Sequence, residues 1–254
     1  MSSSEDDIDA ARTAAAGPGW LPGVLYGVYA WLAFIVCALT ALLCALLLPG
    51  TGRRRRWVTH CARLPFALAG VRTTIRGLEH LPAEACVVVA NHASYLDGVI
   101  LQAFLPPRFS YVIKGEMQNV PLVGALLKRI GARFVDRNSA GGSARDARLL
   151  LKAADAGESL AFFPEGTFTA EAGLAPFRAG AFAAAQRAGL PVVPVVIRGA
   201  RYILPAGRAL PRRGPLDIDI LEPLPAGSAG DSRALARLVR RRMLPVLGEP
   251  DLAA

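Results

Sequence analysis

From Val24 to Leu48 the chain runs for 25 residues without a charged side chain, and Pro49-Gly50 ends the run. At ~1.5 Å of rise per residue, such a helix reaches across a ~30 Å hydrocarbon core with some tilt. Tyr26, Tyr29 and Trp31 cluster near its start, where amphipathic rings favour the membrane interface. Arg53, Arg54, Arg55 and Arg56 follow at once. Such a cluster stays cytoplasmic by the positive-inside tendency and can hold anionic headgroups. Two topologies fit. A single crossing leaves the body of the chain on the cytoplasmic side of the cell membrane and the acidic N-terminal tail outside. A helical hairpin, with Trp57–Ala69 as the return arm, sits in one leaflet only, and Pro65 in that arm permits a bend but weakens a full span. The acidic leader and the long apolar run have the wrong shape for a cleaved signal peptide. The chain thus divides into a disordered tail over 1–20, a membrane anchor over 21–70 and a folded domain over 71–250.

Beyond the anchor, short β-prone runs alternate with helical stretches. Strands are expected at Val71–Ile75, Cys86–Ala90, Ser110–Ile113, Arg133–Val135, Leu160–Phe163, Val192–Ile197 and Leu216–Ile220. Helices are expected at Gly98–Leu105, Pro121–Ile130, Ser143–Ala156, Phe177–Ala188 and Ser232–Leu247. This alternation predicts an α/β domain built on a single mixed, mostly parallel sheet flanked by helices. The last helix puts Leu235, Leu238 and Val239 on one face and Arg237, Arg240 and Arg241 toward the other, the pattern of a packed amphipathic helix.

The chain is 53% hydrophobic and 19% charged, an apolar balance that a membrane segment explains. Its net charge of +9 is uneven, with −3 over residues 1–23 and +12 over the rest. A basic body invites nucleic acid or anionic lipid. No zinc-finger spacing or helix-turn-helix signal accompanies the charge, so the expected partner is an anionic membrane surface and not nucleic acid. The four cysteines include no CxxC pair, which supports neither a zinc site nor a redox pair and suits a cytosol-facing domain. No Walker or dinucleotide glycine pattern and no metal-ligand spacing occur, so no cofactor and no metal are implied.

One stretch carries the chemistry. Val87, Val88 and Val89 read as a buried strand, after which the chain turns through Asn91 and His92 and enters a helix at Leu96. A histidine thus sits where a strand of an α/β sheet ends, the place where ligands and catalytic groups gather, with Asp97 five residues on. Histidine takes a proton near neutral pH and works better with a carboxylate fixing its tautomer. On spacing alone, His92 as a helix cap with Asp97 at the helix N-terminus explains the pattern equally well.

Downstream lie Gly131–Arg137, Phe163–Thr167 and Val193–Ile197. In order and spacing, the four segments resemble the motifs of the PlsC-type glycerophospholipid acyltransferases, the 1-acyl-glycerol-3-phosphate acyltransferases and their relatives. The resemblance runs from about Gly77 to Gly199. It implies transfer of a fatty acyl group from a thioester of acyl-carrier protein or coenzyme A to the free hydroxyl of a lysolipid, lysophosphatidic acid by family frequency. Relatives include members with an N-terminal two-helix membrane anchor. His92 then matches the general base and Asp97 its orienting partner, while Asn91 and Ser94 take structural or hydrogen-bonding roles.

By the same resemblance, Arg137 lies in the acceptor-binding motif, where a guanidinium grips phosphate bidentately. Glu165, Gly166 and Thr167 form a substrate-binding turn. Gly166 would let the backbone approach a substrate oxygen, and Glu165 would position acceptor hydroxyls or a basic neighbour. The chain departs from many relatives at Phe168, where they carry arginine. Arg178 and Lys114 are the candidate substitutes for that cation, and the departure leaves a lyso-aminolipid open as acceptor. Two other readings remain at this stage: a membrane-associated thioesterase using the same pair, although no Gly-x-Ser-x-Gly elbow occurs, and a non-catalytic basic membrane- or nucleic-acid-binding protein.

Overall fold

The computed structural model describes residues 20–135, 152–153, 156 and 158–253. Arg137, nearly all of the expected helix 143–156 and almost the whole expected tail lie outside the described residues.

The apolar run forms α1 (Trp20–Leu47), and α2 (Thr51–Leu68) returns alongside it. The Tyr26 and Tyr29 hydroxyls donate to Ala69 O and Leu68 O at 3.0 and 3.1 Å, which pins the start of α1 to the end of α2. Ala41 and Ala45 pack with Val58, Cys61 and Ile130 nearer the hairpin bend. The return helix therefore starts six residues before the expected Trp57 and takes the arginine cluster into itself. Within that cluster Arg53 and Arg56 stay exposed, and Arg55 turns inward. Arg55 is buried and donates to Ile130 O at 2.7 Å, Arg108 O at 3.2 Å and Ser110 Oγ at 2.5 Å, so it ties the hairpin to the domain. Arg54 turns back to Leu48 O. The outward face of α1 stays apolar, with Leu25, Leu32, Val36, Leu39 and Leu43 all exposed. By length and composition, Leu21–Leu47 can cross a membrane.

Among the described residues, the seven strands are β1 (Thr73–Arg76), β2 (Val87–Ala90), β3 (Phe109–Lys114), β4 (Arg133–Val135), β5 (Ser159–Phe162), β6 (Val192–Arg198) and β7 (Leu216–Ile220). They form one sheet in the order β1-β7-β6-β2-β5-β3-β4. Every neighbouring pair is parallel except β6 with β7. The central strand β2 pairs Val87 with Leu160 on one side and with Val192 on the other. A parallel strand covered on both faces must be apolar at every position, which is why Val87–Ala90 is a continuous run.

Helices α3 (Asp97–Phe104), α4 (Val123–Arg129), α5 (Gly180–Ala188), α6 (Ala200–Ile203) and α7 (Ser232–Leu247) complete the domain. Val87, Val89, Leu160 and Phe162 join one core with Phe182 of α5 and Leu235, Val239 and Met243 of α7. Val88, Ala90, Ala161 and Val193 join the other with Ile100 and Leu101 of α3 and Phe66 of α2, with Trp31 of α1 packed against it. The Trp31 indole also donates to Ala209 O at 2.7 Å. The hairpin is thus packed on the domain along its length.

Candidate active site

Strands β2 and β5 are parallel neighbours, so the loops that leave their C-terminal ends lie side by side. The first carries Asn91–Leu96 and the second Phe163–Thr167. Asn91 anchors the first loop: its side chain donates to Ile197 O at 2.9 Å and accepts from Ile197 N at 2.7 Å. Ser94 Oγ fixes the far end by donating to Leu204 O at 2.6 Å and accepting from Leu96 N at 3.1 Å. These are the structural roles expected of the two residues.

Between these anchors, His92 Nδ1 lies 2.8 Å from Asp97 Oδ2. Asp97 is fully buried, and the same oxygen accepts from Ala93 N at 2.6 Å and Ser94 N at 2.8 Å. A carboxylate oxygen surrounded by donors takes the proton of Nδ1 as its third. With that proton on Nδ1, Nε2 is the ring nitrogen that carries the lone pair. Phe163 stacks on the ring at 4.3 Å and 20°, and Phe168 covers it at 4.6 Å and 53°. Tyr95, itself exposed, meets Phe168 edge-on at 4.9 Å. The imidazole is therefore stacked on one phenyl ring and covered by a second, tilted one.

Glu165 joins the two loops. Its Oε1 accepts from His92 N at 2.6 Å and its Oε2 from Ala175 N at 2.9 Å. Burial pushes its carboxyl up to about 7, against the opposing pull of those two amides. Both oxygens are engaged by the main chain, so Glu165 is a strut between the two loops. Gly166 adopts φ 83°, a left-handed conformation that glycine accepts without strain. Its N–H turns back to Phe163 O at 3.1 Å, so the glycine closes the turn.

Among the remaining expected residues, Thr167 is exposed beside this turn. Lys114 lies at the C-terminal end of β3 and pairs with Glu116 at 2.8 Å, both side chains largely in solvent. Arg178 is exposed, and its backbone N–H donates to Pro164 O at 2.9 Å. The structure thus gathers His92, Asp97, Glu165, Gly166 and Thr167 together, while Lys114 sits on another strand end in an ion pair of its own. Sequence reasoning missed the two phenyl faces. Phe168 drew notice only for the cation it lacks, although an aromatic residue next to a catalytic turn is itself a signal.

Behind the site, an apolar cavity opens between the hairpin and the domain. Tyr26, Trp31, Phe34 and Phe66 line one side and Leu96, Ile203 and Leu204 the other. Of the loop that carries His92, Leu96 is the residue that lines the cavity.

The acyltransferase family model matches residues 72–198, half of the chain, and the chain belongs to that family of O-acyltransferases. Human 1-acyl-sn-glycerol-3-phosphate acyltransferase beta is 30% identical over 226 residues, 85% of this chain and 79% of that protein. The chloroplastic 1-acyl-sn-glycerol-3-phosphate acyltransferase of Brassica napus is 33% identical over 138 residues, 54% of this chain and 40% of that protein, so the chain matches less than half the length of that relative. The crystal structure of the 1-acyl-sn-glycerophosphate acyltransferase PlsC of Thermotoga maritima shares the fold, with a TM-score of 0.76 over 90% of this chain and 95% of that one, at 22% identity.

Proposed function

We propose that this protein moves a fatty acyl group from an acyl thioester, carried by acyl-carrier protein or coenzyme A, to the free hydroxyl of lysophosphatidic acid, giving phosphatidic acid. The observation that carries the proposal is the His92–Asp97 contact at the C-terminal end of β2, in a chain of the acyltransferase family. In the proposed step, Nε2 of His92 takes the proton of the acceptor hydroxyl, and the hydroxyl oxygen attacks the thioester carbonyl carbon. Collapse of the tetrahedral intermediate breaks the C–S bond, and the leaving thiolate recovers the proton from the imidazolium. The acceptor itself is the nucleophile, so no serine or cysteine of the enzyme is acylated. Side chains alone perform this chemistry, and no cofactor enters the proposal.

The amides of His92, Ala93, Ser94 and Gly166 are already engaged within the protein. The Thr167 hydroxyl and, by the resemblance of its motif, Arg137 are the proposed partners of the oxyanion and the acceptor phosphate. The exposed apolar face of α1 and the arginines that follow it support attachment to an anionic membrane surface with the domain on the cytoplasmic side. A second acceptor class is favoured by one observation: Phe168, uncharged, packs against the His92 ring and suits a lysolipid whose headgroup needs no cation there, such as a lyso-aminolipid.

The test is transfer of a labelled acyl group, from each of the two donors, to lysophosphatidic acid, lysophosphatidylethanolamine, lysophosphatidylcholine and a lyso-aminolipid. Labelled phosphatidic acid as the main product supports the first reading, and preference for the lyso-aminolipid supports the second. Release of free fatty acid with no lipid product, whatever acceptor is present, would replace both with a thioesterase.

A further inference from the structure

Residues 163–179 connect β5 to α5 and, apart from an isolated bridge at Leu174, form no helix or strand. A segment without a ladder must place its backbone polar groups elsewhere. Here they go to two arginines and to the stretch that follows α7.

Arg201 of α6 donates from Nη1 to Thr169 O at 2.9 Å and to Glu171 O at 2.6 Å. The same guanidinium grips Glu249, with Nε to Oε1 at 3.1 Å and Nη2 to Oε2 at 3.0 Å. Glu249 Oε2 in turn accepts from Gly173 N at 2.8 Å. Arg240 of α7, buried, donates from Nε to Ala175 O at 3.1 Å and from Nη2 to Leu174 O. Its fork also holds Asp251, with Nη1 to Oδ2 at 2.8 Å. Leu174, fully buried, donates to Pro250 O at 2.9 Å and accepts from Leu252 N at 3.1 Å. At Gly173 a Cβ would stand 2.5 Å from Leu252 Cγ, so the two stretches touch without room for a side chain.

The connection continues inward. Ala175, its carbonyl held by Arg240, gives its N–H to Glu165 Oε2, and Glu165 Oε1 takes the N–H of His92. An unbroken series of hydrogen bonds therefore runs from residues 249–251 through Ala175 and Glu165 to the backbone of His92. Phe168, which covers the imidazole, lies on the segment so held.

We infer that residues 249–252, together with Arg201 and Arg240, are positioning residues for acyl transfer: they set the place of the 165–175 segment and thereby the orientation of the His92 ring. This rests on His92 being the base of the proposed reaction. None of these groups reaches a reacting atom. Their effect is geometric, and displacement of a reacting group by about 1 Å can cost ~100-fold in rate.

The variants that test it are isosteric. Glu249→Gln with Asp251→Asn keeps every volume and removes both charges, so each guanidinium loses its charge-assisted partner. Acyl transfer kinetics, thermal unfolding and the NMR resonances of the His92 ring are measured in detergent micelles for the wild type, the double variant and His92→Ala. The expected result is a kcat lower by about 10- to 100-fold, a KM for the acceptor within about threefold of the wild type, a folded protein at assay temperature and shifted His92 ring resonances. A double variant that transfers at the wild-type rate while His92→Ala is inactive overturns the inference. His92→Ala at the wild-type rate instead removes the base and leaves the proposed mechanism without its centre, so the two readings fail separately.

Discussion

Asp97 Oδ2 accepts three hydrogen bonds, from the His92 ring and from the amides of Ala93 and Ser94. Asp97→Ala would leave all three donors without their acceptor and free the ring to take its other tautomer. Transfer should fall on the order of 10³-fold with little change in KM. A variant within threefold of the wild type would show that the contact does not orient the ring. Glu165 makes a second prediction at this scale. Burial holds its carboxyl at about 7, above the usual value of 4.5. The folded chain keeps a proton that the unfolded chain has already released. The contribution of this group to stability is therefore full below about pH 4.5 and is lost as pH rises through about 7. Thermal unfolding from about pH 5 to 8 should show stability declining more steeply for the wild type than for Glu165→Gln, and parallel slopes would contradict the assignment. His92 and Asp97 are legible in the sequence because five residues of one loop decide their contact. The role of Glu165 is not, because one of its partners, Ala175, belongs to an irregular segment whose path no local pattern encodes.

Strands were the most legible elements. Arg133–Val135 and Leu216–Ile220 fall where their composition places them, and the others differ by a residue or two at their ends. Antiparallel β7 carries no sequence signal of its direction, which depends on the connection after β6. The hairpin shows a subtler gap. Four consecutive arginines read as a solvated or lipid-facing cluster, yet helical geometry turns Arg55 inward, where carbonyls left open at Ile130 and Arg108 receive it. Arg55→Met should cost about 2–4 kcal/mol, because buried acceptors are left without their donor. Chemical unfolding in detergent checks this, and unchanged stability would mean that the hairpin is held by apolar packing alone.

At the scale of the molecule, two elements of opposite character meet. The α1–α2 hairpin presents a strip of exposed Leu and Val, and the α/β domain carries the dyad at the strand ends beside it. Replacing Leu32, Val36, Leu39 and Leu43 by Gln alters only this strip and leaves Trp31 and Ala41 in their contacts. Sedimentation with anionic vesicles should then fall by at least ~100-fold in partition coefficient, whereas undiminished binding would place the attachment elsewhere. The hold of residues 249–252 on the site was beyond sequence reading, since Gly173 and Glu249 stand 76 positions apart and pair only when the chain is folded. The whole account turns on one group. The most direct measurement is the rate of acyl transfer from a labelled acyl thioester to lysophosphatidic acid by the wild type and by folded His92→Ala, with free fatty acid counted alongside lipid product. The account predicts phosphatidic acid from the wild type and a rate lower by at least about 10³-fold from the variant. Equal rates from the two proteins would contradict it.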